Sequence, residues 1–306
     1  MADITPIFIF SLPRSGSTLL QRIIGASEKV CTTSEPWFLL PIIGSYSNVD
    51  MYSEFGHSIY RRAFKDLMDA YPDGLSKYRE RIQEFSISVY NDFRTDKSVY
   101  FLDKTPRYHL ICEEIMSVFP NAKFIFLWRN PEDVMLSIAN TWYNSTWTTH
   151  PFEVDLKKGL NNLINTYLKN KHKENVLSLC YEDLVNPLKT DLEIKKIENI
   201  LGINDLKFDT TIDLKGSLGD MPTNNKQRAA RKKDIINTLY RKRYVKNILN
   251  QFSSDEWQNV GYNLNALLNN LDSRKVYLPI SISDIVSILK TMIRKKFITS
   301  SESIIY

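Results

Sequence analysis

Runs of apolar residues and the spacing between them divide the chain into alternating strands and helices. Ile7–Leu12 (IFIFSL) is a short continuous apolar run of β-favouring residues, the pattern of a strand buried on both faces of a parallel sheet. Val99–Leu102, Lys123–Trp128 (KFIFLW) and Val176–Cys180 repeat that pattern. Between them the apolar spacing changes to three and four, so Thr18–Ile24 (TLLQRII) and Tyr108–Phe119 read as helices. Asn130-Pro131-Glu132-Asp133 marks a helix start, with Asn as the cap, Pro at the first helical position and acids in the first turn. Residues 51–95 are aromatic and charged at helical spacing and read as helices inserted between sheet elements, and Gln227 to about Leu268 is also helical in pattern. Residues 202–225 carry Gly202, Gly216, Gly219 and Pro222 with no clear period and read as a long loop. Strands alternating with helices predict an α/β fold, a three-layer sandwich in which helices flank a central parallel sheet.

Composition changes this picture little. The chain has 306 residues, 43% of them hydrophobic and 25% charged, which suits one large domain with its own core. We expect a domain over residues 1–272 and an apolar, basic tail over 273–306. Cys31, Cys112 and Cys180 are too far apart for a metal pair or a disulfide framework and read as buried free thiols. The four histidines lack metal-ligand spacing, so no metal is expected. The first residues lack the marks of a signal peptide, and no run of about 18 apolar residues exists to cross a bilayer. The simplest expectation is a cytoplasmic protein. Ile285–Phe297 is apolar and basic at helical spacing, so two readings of the tail stand: contact with an anionic membrane surface, or packing on the domain or on another subunit. The oligomeric state is left open.

Charge is concentrated. Residues 226–246 hold nine Lys and Arg against one acid, Asp234, so this segment carries a net +8 while the whole chain carries +5. An anionic ligand suits such a segment. Nucleic acid would as well, but no nucleic-acid motif accompanies the run.

Candidate chemistry begins after the first strand. Pro13-Arg14-Ser15-Gly16-Ser17-Thr18 stands between a strand and a helix, the outline of a phosphate-binding loop whose backbone N–H groups face an anion. The loop lacks the lysine of the nucleotide triphosphatase motif, and no Asp is expected at a strand end to hold Mg²⁺, which argues against a kinase or ATPase. Lys123–Trp128 is followed by Arg129, at the end of a strand where open α/β sheets bind ligands. The bland alternative for Arg129 is a surface ion pair with Glu132 or Asp133.

The motifs together carry a resemblance. Pro13–Leu20 (PRSGSTLL) resembles the 5′-phosphosulfate loop of sulfotransferases that use 3′-phosphoadenosine-5′-phosphosulfate (PAPS). Arg129–Ser137 (RNPEDVMLS) resembles their second signature, in which the Arg and Ser bind the donor's 3′-phosphate. Ser34-Glu35-Pro36-Trp37 and Asp103-Lys104-Thr105-Pro106 are spaced as in the tyrosylprotein branch and related bacterial enzymes, and Tyr181-Glu182-Asp183-Leu184 is a further family-like element. The resemblance implies transfer of a sulfonate from PAPS to a hydroxyl or amine, leaving 3′-phosphoadenosine-5′-phosphate. It implies Glu35 as general base, with Arg14 and Lys104 stabilising the transferring group. Arg14, Ser15, Gly16, Ser17, Thr18, Arg129, Ser137 and Tyr181 would bind the donor, joined by Ser217 and Lys226 from a late loop over about 202–226. The alternative for Glu35 is a helix-capping acid. His109 is a rival base, otherwise a helix-face residue. A carbohydrate or glycolipid acceptor is favoured, with a tyrosine peptide or small metabolite as alternatives. Trp142–Trp147 is the best acceptor-site segment, although core packing would account for most of these rings.

Overall fold

A computed structural model describes residues 3–47, 57–208, 235–276 and 278–303, the last ten of these by backbone alone. β1 (Thr5–Ser11) leads through a tight loop into α1 (Ser17–Gly25) and β2 (Val30–Thr32). The helices α2 (Leu39–Gly44), α3 (His57–Ala70) and α4 (Gly74–Asn91) precede β3 (Tyr100–Asp103), so residues 57–91 are the inserted helices that the spacing predicts. A 3₁₀ turn (Pro106–Leu110) and α5 (Cys112–Val118) join β3 to β4 (Lys123–Trp128). Then come α6 (Pro131–Trp142), α7 (Thr149–Phe152), a π-helical segment (Glu153–Gly159), α8 (Leu160–Asn170) and β5 (Val176–Cys180). The chain continues through α9 (Tyr181–Leu184), α10 (Thr190–Leu201), α11 (Leu239–Leu249), α12 (Ser254–Asn259), α13 (Leu264–Ser273) and α14 (Ile282–Ser303).

The five strands form one parallel sheet in the order β2-β3-β1-β4-β5. Side chains alternate along β1, so its two faces build two cores. Ile7 and Ile9, with Ile125 and Leu127 of β4, meet Leu20, Ile23 and Ile24 of α1 on one side. Phe8 and Phe10, with Phe124 and Phe126, face the helices α5, α6 and α8 on the other. Those rings pack together, with Phe8 to Phe124 centroids 5.9 Å apart and Phe10 to Phe126 centroids 5.3 Å apart. Thus α1 leaves β1 toward one face and α6 leaves β4 toward the other. The crevice between their strand ends is a topological switch point, where parallel sheets bind ligands.

Two expectations change here. β3 ends on Asp103, so an acid does close a strand. It is fully buried and accepts hydrogen bonds from the Tyr90 and Tyr108 hydroxyls at 2.7 and 2.9 Å, which commits it to the protein. The cysteines are free, but only Cys112 is fully buried while Cys31 and Cys180 are partly covered. In the tail, α14 takes the helical form that the spacing predicts and docks on the domain through Asp284 and Ser287.

Candidate active site

The loop after β1 is shaped by two left-handed residues. Arg14 has φ 66° and Gly16 has φ 91°, which turns the chain between strand and helix and places Gly16 at the N-cap of α1. Glycine is required twice over at position 16. Its φ disfavours a side chain, and an added Cβ would lie 2.2 Å from the Tyr181 ring. Ser15, Ser17 and Thr18 are all buried.

The residues that follow the other strands converge on this loop. Arg129, after β4, donates from Nη1 to the Arg14 carbonyl at 2.8 Å, and its guanidinium lies 4.5 Å from the centre of the Tyr181 ring. Its Nε is buried with no hydrogen-bond partner among the described residues. Of the two acids in the bland alternative, Glu132 pairs instead with Arg274 and accepts from Asn270. Ser137, two turns into α6, accepts from Arg14 Nε at 3.4 Å. Asn130 caps α6 through its side chain, and its N–H donates to Glu182, which also accepts from the Tyr262 hydroxyl. The segment after β5 is thereby fixed to the segment after β4.

On the other side of β1, Lys104 follows β3 and is 1% exposed. Its Nζ donates to Glu35 Oε1 at 2.6 Å and reaches Thr18 Oγ1 at 3.5 Å. Glu35 is not a helix cap: its other carboxylate oxygen accepts from the Trp37 indole N–H at 3.1 Å. Trp37 itself sits at φ 61°, a strained value for a bulky residue, and its backbone N–H donates to Thr105 Oγ1. Trp37 keeps 37% of its surface exposed, so its ring borders the Glu35 carboxylate from the solvent side.

Gln21 has a part the sequence reading did not find. Its amide donates to Thr32 Oγ1, to the Thr33 carbonyl at 2.6 Å and to the Ser34 carbonyl at 3.1 Å, tying the segment that carries Glu35 to α1. The available signal is a polar residue inside the apolar stretch TLLQRII, at a position the structure leaves 0% exposed.

Other expected residues fall elsewhere. His109 is fully buried on the 3₁₀ turn and contacts Asp155 Oδ1 at 3.0 Å, with Arg107 2.9 Å from the same oxygen. Trp147 is buried against Phe152 and Tyr244, so it lines no surface, whereas Trp142 is exposed. Within the basic run, Arg241 pairs with the buried Asp284, and Lys242 and Lys246 both approach Asp272. The Arg241 charge is met inside the protein, whereas Lys242 and Lys246 are met by Asp272 at the surface. Ser217, Lys226 and most of the late loop lie outside the described residues.

What the arrangement can do follows from its charge. Arg14, Lys104 and Arg129 surround a loop rich in backbone N–H groups, and Glu35 is the carboxylate placed among them. Such a cradle suits a phosphate or sulfate group, with a base beside it. Asp103, behind Lys104, has its pKa pushed up to about 6 by burial, against hydrogen bonds from Tyr90, Tyr108 and Thr105 that favour the ionised form.

Residues 6–206 match the model of the Sulfotransferase family. The nodulation protein NoeE of Sinorhizobium fredii is 29% identical over 145 residues, which is 46% of this chain and 33% of that protein. The chain therefore aligns with about a third of that relative's length. Among solved structures, the sulfotransferase domain from the curacin biosynthetic pathway is 20% identical, covering 91% of this chain and 99% of that one at a TM-score of 0.46. Mouse sulfotransferase SULT7A1 complexed with PAP is 16% identical, covering 87% and 90%, also at 0.46.

Proposed function

Because this chain belongs to the Sulfotransferase family, we propose that it transfers the sulfonate group of PAPS to a hydroxyl of a carbohydrate or glycolipid acceptor. One observation carries this reading: three cations and one carboxylate, each placed after a different parallel strand, meet at the β1–α1 loop. The residues fit the donor. Arg129 Nε is buried with no partner among the described residues, a donor that an anion at this site would satisfy.

In this reading the loop amides from Ser15 to Thr18 and the Arg14 side chain hold the donor's 5′ end, while Arg129 and Ser137 hold its 3′-phosphate. Tyr181 walls the loop behind Gly16. The donor supplies a sulfonate already attached to a phosphate leaving group, and the sulfur–oxygen bond to phosphate breaks as the one to the acceptor oxygen forms. Lys104 neutralises negative charge that builds next to the loop. Glu35 takes the acceptor's proton, held for that task by Lys104 on one oxygen and by Trp37 on the other. The exposed rings of Trp37 and Trp142 support a sugar acceptor, since pyranose faces lie well on indoles.

The test is nucleotide binding to the full chain. 3′-Phosphoadenosine-5′-phosphate should bind at least about tenfold more tightly than adenosine 5′-phosphate, and Arg129→Ala should erase the difference. Equal affinity of the unaltered protein for both nucleotides would overturn the assignment. Mass spectrometry of glycans and peptides incubated with PAPS identifies the acceptor class.

A further inference from the structure

α14 is amphipathic in reverse. Asp284, Ser287 and Thr291, spaced by three and four along one face, are buried against the domain. Asp284 takes the Arg241 guanidinium at 2.5 Å and the Thr238 hydroxyl at 3.1 Å, and it also accepts the Ser281 N–H. Ser287 accepts the Thr149 N–H at 2.8 Å. The polar face is thus satisfied by the protein. On the opposite face Ile282, Ile285, Val286, Leu289, Met292 and Ile293 are 43% to 82% exposed. Leu278 and Ile280, just before the helix, extend the same apolar strip. An apolar stripe normally turns inward, and a continuous outward one marks a surface made to be covered.

We propose that this face lies on a membrane surface that carries anionic lipid headgroups. Charge selects that partner. Between Ile282 and Phe297 the sequence holds Lys290, Arg294, Lys295 and Lys296, and its one acid, Asp284, is neutralised internally by Arg241. An apolar strip whose sequence continues into a cluster of cations inserts shallowly into the acyl boundary while the charges meet headgroups. Among the described residues no helix is long and apolar enough to cross a membrane, so the contact is interfacial. Docking through the polar face holds the helix axis fixed on the domain, so the membrane would meet a preformed surface and little ordering would be required. The proposal is independent of sulfonate transfer, and its test does not read activity.

The full chain is floated with neutral phosphatidylcholine vesicles and with vesicles containing about 30% phosphatidylglycerol. The anionic vesicles should carry the protein, and raising salt should weaken the association. Ile285→Ser combined with Leu289→Ser should reduce binding at least about tenfold with the melting temperature unchanged, because both side chains point away from the domain. Lys290→Glu should weaken binding severalfold on anionic vesicles alone. Failure of the unaltered chain to float, or equal flotation of the double variant, overturns the proposal. So does a dimer in light scattering that the double variant converts to monomer without any vesicle binding, since the face is then a seam between copies. If the double variant does not fold, Lys290→Glu and the salt titration decide on the same terms.

Discussion

Two buried acid–base pairs flank the same short segment, and they differ in what remains open. Lys104 meets Glu35, and five residues later His109 meets Asp155. In the first pair the lysine is 1% exposed, but the carboxylate side chain keeps 11% of its surface and sits beside an exposed indole. In the second, histidine and aspartate are both sealed, and Arg107 neutralises the acid from the outside. Gly159 on the π-helical segment closes over the ring so tightly that a Cβ there would lie 2.5 Å from His109 Nδ1. A proton acceptor must reach its substrate, so accessibility separates the pairs where residue type does not. Histidine is the more familiar base at neutral pH, yet here it is the sealed one.

The sharpest way to break this comparison is to delete each acceptor in turn. Glu35→Ala should lower turnover by at least about 10²-fold while nucleotide affinity stays near that of the unaltered protein. Steady-state kinetics with a nucleotide titration would check both. His109→Asn should do the reverse, lowering stability by about 1–3 kcal/mol in denaturant melts while turnover stays within a few fold. A His109 variant that folds normally and loses turnover about 10²-fold would exchange the two roles.

The sequence showed these pairs unequally, for a physical reason. Glu35 and Lys104 follow strands, and their spacing from Arg14 and Arg129 resembles that of the family, which is what implied a shared site. The partnership of His109 with Asp155 spans 46 positions and depends on how a π-helical segment packs, which no local pattern encodes. The strands were legible because a continuous apolar run has one cheap home, a sheet covered on both sides; β4 and β5 begin and end where the runs do. β1 begins two residues earlier than its apolar run, since Thr5 and Pro6 pair at the strand's start, where proline costs little. Periodicity likewise shows the apolar stripe of α14. It does not show that the opposite, polar face is the one that docks, because that rests on Arg241, 43 positions from Asp284.

Asp103 is buried behind the first pair, on the segment that leads to the second. It accepts from Thr105, whose hydroxyl also receives the Trp37 N–H, and from Tyr108, which precedes His109. Burial raises its pKa from 3.8 to about 6, so the folded state binds this proton more tightly than the unfolded chain does. Stability from this group is therefore fully present below about pH 4, falls as pH rises toward 6 and is level above that. Asp103→Asn should flatten that slope in melts between pH 4 and 6, an interval set by those two values. An unchanged slope would show that Asp103 is not the group that titrates in this interval.

Trp37 should give the smallest effect and the most specific one. Its strained backbone is held by the N–H bond to Thr105, and its indole N–H holds Glu35. Trp37→Phe keeps the backbone contact and most of the aromatic face but removes the donor to the carboxylate. If the indole positions the base, kcat should fall by about three- to tenfold, the worth of one ordinary solvent-exposed hydrogen bond, with acceptor KM little changed. Trp37→Ala removes the ring as well, so acceptor KM should then rise on top of the same loss in kcat. A KM effect already complete in Trp37→Phe would assign the indole N–H to the acceptor and leave Glu35 positioned by Lys104 alone. That outcome would make the open pair as self-contained as the sealed one, and accessibility alone would then distinguish them.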